Sequence, residues 1–244
     1  MENNFESRDK VEPDSISVIL TGYKRDYFDE QINAILNQTI KPSKIYLWQN
    51  GNYVDLDKYR EKYNINLIKS DENMKFHGRF AFGFLMRTEY VAIFDDDIVP
   101  GKKWLENCLR LSKAKNCIVG ANGRVYYPNT KKWGGYDITV PDDFKMHFVG
   151  HCWFFKKEWL KYMWQLDPYT LDNAEDMQLC IGAKMFGNID TYVAKQTTND
   201  TMADTKKNKY ATDQHASFKL IKNHHSIRND IINYYISKGW DYKL

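Results

Sequence analysis

Cysteine is scarce in this sequence, and its positions lie far apart. Four cysteines occur among 244 residues: Cys108, Cys117, Cys152 and Cys180. No two of them form a Cys-x-x-Cys pair or another spacing that zinc sites use, which excludes a structural zinc held by paired cysteines. We therefore expect four buried thiols in a protein of a reducing compartment.

Long apolar runs and an excess of one charge are also missing. No stretch approaches the ~20 apolar residues that a membrane helix needs, and the polar leader, residues 1–14, has no apolar stretch of signal-peptide length. Lys and Arg number 35 and Asp and Glu 32, which gives a net charge of +3 with no basic block. These absences argue against a transmembrane segment and a nucleic-acid partner, and they favour a cytoplasmic protein.

Short apolar strands alternate with helical patterns through the first half of the chain. The predicted strands cover residues 16–20, 45–48, 65–68 and 90–94, with helix-like segments between them. Such alternation is typical of βαβ units. We therefore predict an α/β fold in a single domain, with a mostly parallel central sheet flanked by helices and a ligand site at the carboxyl ends of the strands.

The most informative motif is the acidic triplet Asp95-Asp96-Asp97, which directly follows the fourth predicted strand. Charged groups at this point must leave the core, because unpaired buried charge is costly. In an extended chain Asp95 and Asp97 point to the same side, where a hard cation such as Mg²⁺ or Mn²⁺ would relieve their repulsion. The alternative is a solvated acidic turn before a helix. An EF-hand is excluded, because Val99 and Pro100 replace an oxygen ligand and the glycine of that loop.

Two enzyme classes place such a motif at the end of a strand. In haloacid-dehalogenase-like phosphatases or phosphotransferases Asp95 would be the nucleophile, and Asp97 and Val99 also satisfy their pattern. In glycosyltransferases of the GT-A fold, the aspartates hold a divalent cation on the diphosphate of a nucleotide sugar. The phosphatase motif normally ends the first strand of its domain. Here three strand-helix units precede the motif, which favours the transferase.

Several segments together resemble the inverting, family-2-like glycosyltransferases of the GT-A fold. They are residues 17–23, 42–45, 94–97 with Pro100-Gly101, and Glu175-Asp176 on a following helix. Two more segments, residues 75–80 and 150–155, resemble the branch that includes capsid-glycosylating enzymes of large algal viruses and bacterial relatives. The QxxRW motif of processive synthases is absent, which favours transfer of a single sugar.

The resemblance implies that the two halves of the chain bind different substrates. It assigns residues 15–119 to nucleotide-sugar binding and residues 120–244 to acceptor binding, with a helix near the C terminus. The implied reaction moves a sugar from a nucleoside diphosphate sugar to a hydroxyl of a glycan or glycoconjugate, with Mn²⁺ or Mg²⁺ as cofactor. A non-catalytic sugar-nucleotide-binding module of the same fold is the alternative.

The resemblance also implies roles for residues at the metal. Asp97 is the expected direct ligand, Asp95 the expected contact to the ribose or to the metal through water, and Asp96 a further donor contact. A histidine near the C terminus often completes such a site. We favour His215 over the histidines at 224–225, because His215 follows a polar segment that could close over the donor.

For the chemical step, the resemblance makes Asp176 the base that accepts the proton of the acceptor hydroxyl, with Glu175 beside it. The alternative is a favourable interaction of both charges with a helix N-terminus. The remaining expected contacts are Thr21, Gly22, Tyr23, Asn50, Lys75 and Arg79 for the donor, and Trp133 and Trp153 for the acceptor. Alternatives are a solvated basic helix end for Lys75 and Arg79, and a place in the core for Trp153.

Overall fold

The computed structural model describes residues 10–127, 132–136, 139–204, 219 and 224–244. Within these ranges the strands are β1 (Ile16–Gly22), β2 (Lys44–Asn50), β3 (Asn66–Ser70), β4 (Tyr90–Phe94), β5 (Val99–Pro100), β6 (Cys117–Tyr127), β7 (Lys132–Tyr136), β8 (Phe144–Met146), β9 (Phe148–Lys156), β10 (Asp190–Val193) and β11 (Ala203–Asp204). The helices are α1 (Asp29–Leu36), α2 (Asp57–Tyr63), α3 (Gly78–Gly83), α4 (Trp104–Lys115), α5 (Leu160–Met163), α6 (Glu175–Gly187) and α7 (His224–Ser237). A 3₁₀ turn, Lys157–Trp159, precedes α5.

The first four strands form the parallel half of one sheet, in the order β3-β2-β1-β4. β1 is buried on both faces, as its continuous apolar run predicts. Leu20 pairs with Leu47 on one side and with Phe94 on the other, so the strands β1, β2 and β4 end at the same edge of the sheet. All four predicted strands are therefore present, and the acidic triplet lies at that edge.

The second half of the sheet is antiparallel where it meets the first. β9 lies between β4 and β6 and is antiparallel to both, and β10 and β8 continue the sheet beyond β6. Because Phe94 pairs with Cys152, the residues of β9 before Cys152 extend past the end of β4. This arrangement brings residues 148–151 next to the acidic triplet. The central sheet flanked by helices confirms the predicted α/β class and adds antiparallel strands to it.

Helices cover both faces of the sheet. On one face Val18 and Leu20 pack in a buried cluster that includes residues of α1, α2 and α4. On the other face Ile19 belongs to a cluster that includes residues of α3, α5, α6 and α7. The alternation of neighbouring side chains between two faces is the period of a β-strand. The two acidic segments, after β4 and at the start of α6, are thus fixed to one rigid framework.

Other expectations concern the chain as a whole. All four cysteines are free and buried, as expected. The expected boundary between residues 119 and 120 falls inside β6, which belongs to the common sheet. Among the helices within the described ranges, none combines the length and apolar character that crossing a membrane requires.

Candidate active site

A cleft of about 530 Å³ opens at the edge of the sheet where β4 ends. The start of β9, the neighbouring part of β6, the start of α6 and one residue of α7 contribute its walls. It brings together five residues that the sequence singled out, Asp95, Trp133, Trp153, Glu175 and Asp176. The other lining residues are Phe76, Asn122, Arg124, Phe148, Val149, Gly150, His151, Asn173 and Arg228.

The turn that carries the acidic triplet is fixed through its backbone. The amide N–H of Asp95 donates to the carbonyl of His151 at 3.0 Å. The side chain of Gln31, on α1, donates to the carbonyls of Asp95 and Ile98, each at 2.7 Å. His151 has a left-handed backbone with φ of 66°, and its ring lies 3.1 Å from the amide of Asn122. The tertiary contacts therefore set the direction of the three carboxylates.

Arg25, in the loop after β1, neutralises part of the triplet. Its guanidinium donates to Asp96 and lies 3.7 Å from a carboxylate oxygen of Asp97. Burial raises the pKa of Asp96 to about 7, although Arg25 acts in the opposite direction. Burial also raises the pKa of Asp97, and repulsion from Asp95 adds to this effect. Arg25 alone therefore does not balance the three carboxylates.

Arg79, at the start of α3, links the two acidic segments. Its guanidinium donates to Asp95 and, at 2.7 Å, to Glu175, and it lies 4.5 Å from the ring of Trp153. Its side chain is only 5% exposed. Burial disfavours the charged form, but the two carboxylates outweigh burial and raise the pKa of Arg79. Arg79 is therefore a buried bridge between carboxylates, and both its terminal nitrogens already have protein partners.

Glu175 and Asp176 open helix α6, and each has an arginine partner. Burial raises the pKa of Glu175 to about 7, against the opposing effect of Arg79. Asp176 forms a two-pronged ion pair with Arg228 of α7, at 2.7 and 3.2 Å. Burial disfavours a charged guanidinium, yet the pKa of Arg228 is raised because Asp176 stabilises the cation. Helix α7 thereby fixes the carboxylate that the sequence assigned as the base.

The two tryptophans expected at the acceptor occupy different environments. The ring of Trp153 is buried, donates to the carbonyl of Val149 at 2.8 Å and packs on Arg79. Trp133 is half-buried, donates to Asn229 of α7 at 3.3 Å and lies against other aromatic rings. Trp153 accordingly fits the alternative of a core residue that borders the cleft, whereas Trp133 keeps part of its surface available.

The end of β1 and the residue after it hold three of the expected donor contacts, Thr21, Gly22 and Tyr23, which are not part of the cleft lining. The hydroxyl of Thr21 is buried and has no hydrogen-bond partner among the described residues. A Cβ on Gly22 would come within 2.4 Å of Leu56, so the glycine permits close packing inside the protein. The ring of Tyr23 meets the exposed ring of Tyr53 edge to face, with centroids 4.8 Å apart. Tyr23 is half-buried in this contact.

Asn50 and Lys75 stabilise the neighbouring loop. The side chain of Asn50 accepts from the amide of Met74 at 2.7 Å, and it donates to Asn73 at 3.1 Å and to the carbonyl of Lys75 at 3.3 Å. Lys75 has φ of 55°, and its ammonium lies 3.2 Å from Asp172 in an exposed ion pair. The groups of Asn50 that could bind a base are thus engaged within the protein.

The sequence did not predict a role for several residues that the structure places at the site. Arg25 stands two positions after Tyr23, the last residue of the predicted donor segment, and His151 lies in one of the segments that resemble family members, but no role was expected for either residue. Arg228 stands 52 positions from Asp176, and such a long-range pair has no local pattern. His215 lies outside the described residues, and the histidines at 224–225 open α7.

Comparison with known families identifies the chain. Residues 17–164 match the model of glycosyl transferase family 2. The chain belongs to glycosyl transferase family 2. The match includes the β1 loop, Arg79 and the acidic triplet, and it ends before Glu175 and Asp176. Family membership favours the transferase over the haloacid-dehalogenase-like phosphatase and over the non-catalytic binding module.

Solved structures give the same fold. Two crystal structures of S. aureus TarS, one of them covering residues 1–349, superpose with a TM-score of 0.54 each, at 17% and 16% sequence identity. Each alignment covers 74% of this chain, but only 36% of the longer TarS chain and 60% of the shorter one. The likeness supports the GT-A fold of this family 2 protein. A comparison with curated protein sequences gives no match.

Proposed function

We propose that this family 2 protein is a metal-dependent, inverting transferase that moves one sugar from a nucleoside diphosphate sugar to a hydroxyl of a glycan or glycoconjugate. The observation that carries the proposal is the meeting of Asp95, Glu175 and Asp176 in one cleft. The reaction needs charge stabilisation at the departing diphosphate and a base at the attacking hydroxyl. A single cleft that is lined by Asp95, the first carboxylate of the triplet, and by both carboxylates of the helix start can serve both needs.

The end of β4 fits a divalent cation shared with the substrate. Burial raises the pKa of Asp97, and repulsion from the carboxylate of Asp95 raises it further. A cation between the two carboxylates would relieve this repulsion. Within the described ranges, no group of three or more His, Cys, Asp or Glu side chains could by itself hold a metal ion. Mg²⁺ commonly takes one or two carboxylates and completes its shell with substrate phosphates and water. When bound, Mn²⁺ or Mg²⁺ would stabilise the negative charge of the leaving diphosphate.

Asp97 is the proposed direct ligand, supported by the way its neighbours are engaged. Asp96 is paired with Arg25, and Asp95 is paired with Arg79. Among the described residues, the ion pair of Asp97 is the more distant one, to Arg25 at 3.7 Å. Among the three carboxylates, Asp97 would therefore give up the weakest ion pair on turning toward a cation. Asp95 is proposed to contact the metal through water, or to contact the ribose.

Asp176 is the proposed base. An inverting displacement requires a proton acceptor on the face of the sugar opposite the diphosphate. Arg228 donates to both oxygens of Asp176, which fixes the orientation of the carboxylate. Glu175 is engaged with Arg79, so its proposed task is to anchor the start of α6. Trp133 supplies an aromatic surface for the acceptor in the same cleft.

Calorimetric titration of UDP and GDP, with and without Mn²⁺, tests the proposal. Wild type is expected to bind one of them in a manner that depends on Mn²⁺, and Asp97→Ala is expected to weaken this binding by at least about tenfold, because a charge-assisted metal contact is lost. Asp142→Ala, at an exposed aspartate, is the matched control. Failure of wild type to bind either nucleotide, or equal binding by Asp97→Ala, would contradict the proposal.

A further inference from the structure

Asn173 is a buried polar residue in the wall of the cleft. Its side chain is only 4% exposed, yet it is one of the residues that line the cavity. Its carbonyl oxygen Oδ1 accepts from the backbone N–H of Ala174 at 2.7 Å. Its amide nitrogen Nδ2 has no hydrogen-bond partner among the described residues. Asn173 therefore presents a fixed side chain with an unused donor.

The backbone explains why Asn173 is held in this position. Ala174 has a left-handed conformation, with φ of 63°, although it is not a glycine. Such a conformation is uncommon for alanine and persists only where surrounding contacts impose it. The contact from Asn173 Oδ1 closes this turn directly before Glu175 and Asp176. The same contact prevents the amide from rotating to exchange its oxygen and nitrogen.

An unpaired buried donor is unfavourable in the protein alone. Nearly all buried polar groups in proteins have a partner, so a group without one calls for an explanation, and a ligand that completes the set is one such explanation. A ligand oxygen in the cleft would supply the missing acceptor for Nδ2. The ligand must carry neutral acceptor oxygens that fit between Asp95 and Asp176, and a sugar ring with hydroxyl groups has this chemistry.

The neighbours of Asn173 place it beside the donor part of the site. Asp172, directly before it, pairs with Lys75 at 3.2 Å. The carbonyl of Lys75 accepts from Asn50, at the end of β2 in the parallel half of the sheet. Phe76, from this same loop, also lines the cleft. Asn173 is thus connected to the nucleotide half of the fold through the loop at residues 73–76.

We infer that Asn173 Nδ2 donates a hydrogen bond to a hydroxyl oxygen of the sugar that is transferred. The inference rests on the proposed function and adds a specificity residue for the donor sugar. The contact selects sugars that have an oxygen at the matching ring position. It acts on the sugar and leaves the binding of the nucleoside diphosphate unchanged.

The test compares each nucleotide sugar with its parent diphosphate by calorimetry in Mn²⁺. The probes are UDP-glucose, UDP-galactose and UDP-N-acetylglucosamine against UDP, and GDP-mannose against GDP. For the sugar that wild type prefers, Asn173→Ala is expected to raise the ratio of Kd for the nucleotide sugar to Kd for the parent by about tenfold. Asn173→Asp keeps the size of the side chain and the oxygen that accepts from the N–H of Ala174, but it removes the amide donor. This variant is expected to raise the same ratio.

The controls separate the inference from a general effect on folding. Asn188→Asp makes the same change at an exposed asparagine just after the other end of α6 and is expected to leave the ratio within twofold. Circular dichroism verifies that each variant is folded, and Asn173→Asp provides the answer should Asn173→Ala fail to fold. An unchanged ratio in a folded Asn173 variant overturns the inference while the proposed function stands. Absence of nucleotide-sugar binding by wild type would instead overturn the proposed function.

Discussion

The strand-end cluster, residues 95–97, and the helix-start cluster, residues 175–176, hold their negative charges in different ways. In the helix-start cluster each carboxylate has an arginine, Arg79 for Glu175 and Arg228 for Asp176. In the strand-end cluster three carboxylates have Arg25 and a share of Arg79. A cluster with excess negative charge suits the binding of a cation. A balanced cluster suits a carboxylate that must stay ordered while it accepts a proton.

The largest expected effect separates the two clusters by function. Asp176→Asn is expected to lower the rate of sugar transfer by about 10²- to 10⁴-fold, because an amide cannot accept the proton of the hydroxyl. Binding of the donor, measured by calorimetry, is expected to stay within twofold of wild type. Asp97→Asn is the variant for comparison in the strand-end cluster, and it is expected to weaken the binding of the donor. Normal turnover by Asp176→Asn would remove Asp176 as the base.

The next effect concerns the bridge between the clusters. Arg79→Met leaves Asp95 and Glu175 without their shared cation, and loss of one partner from a buried ion pair costs about 3–5 kcal/mol. The free energy of unfolding in urea measures this change. Lys75→Met is the matched control, because its ion pair with Asp172 is exposed and worth less than about 1 kcal/mol. Equal effects of the two substitutions would show that Arg79 does not carry the bridge.

A smaller effect is expected from the clamp on Asp176. Arg228→Met is expected to lower kcat by about 10- to 100-fold, because the base loses its fixed position, with the Kd of the donor unchanged. Arg228→Lys is expected to recover only part of the rate, since an ammonium cannot make the two-pronged contact. A fall in donor affinity instead of kcat would indicate that Arg228 belongs to the donor site.

The last expected effect is a gradual one, a pH dependence of stability. Burial raises the pKa of Glu175 and of Asp96 to about 7, so the folded protein keeps these protons to higher pH than the unfolded chain does. Stability is therefore expected to fall as the pH rises from about 4 toward 7, by at most about 1.4 kcal/mol per pH unit for each group. Unfolding of wild type and Glu175→Gln in urea at pH 5.5 and 7.5 measures how much Glu175 contributes to the change in stability with pH. If the free energy of unfolding changed equally with pH in both proteins, Glu175 would not contribute to the pH dependence.

The local parts of the site could be predicted from the sequence. The strand before Asp95 has a continuous apolar run, and the acidic triplet has to leave the core at its end. The helix that begins at Glu175 is a local feature of the same kind. The bridge by Arg79 could not be predicted, because it joins residues 96 positions apart and depends on how α3 packs against the sheet. The sequence suggested Arg79 as a donor contact for the same reason that it suggested Lys75, as a cation shortly before the fourth strand.

By itself the sequence determined which segments become strands and where their charges leave the core, because hydrophobic periodicity and the cost of buried charge act over a few residues. It also carried the motifs that resemble family 2 transferases. Only the tertiary structure decided which arginine neutralises which carboxylate, and that Asn173 lines the cleft while its buried amide nitrogen has no hydrogen-bond partner in the described part of the chain. These contacts join residues far apart in the chain, so no pattern in a few neighbouring residues could specify them.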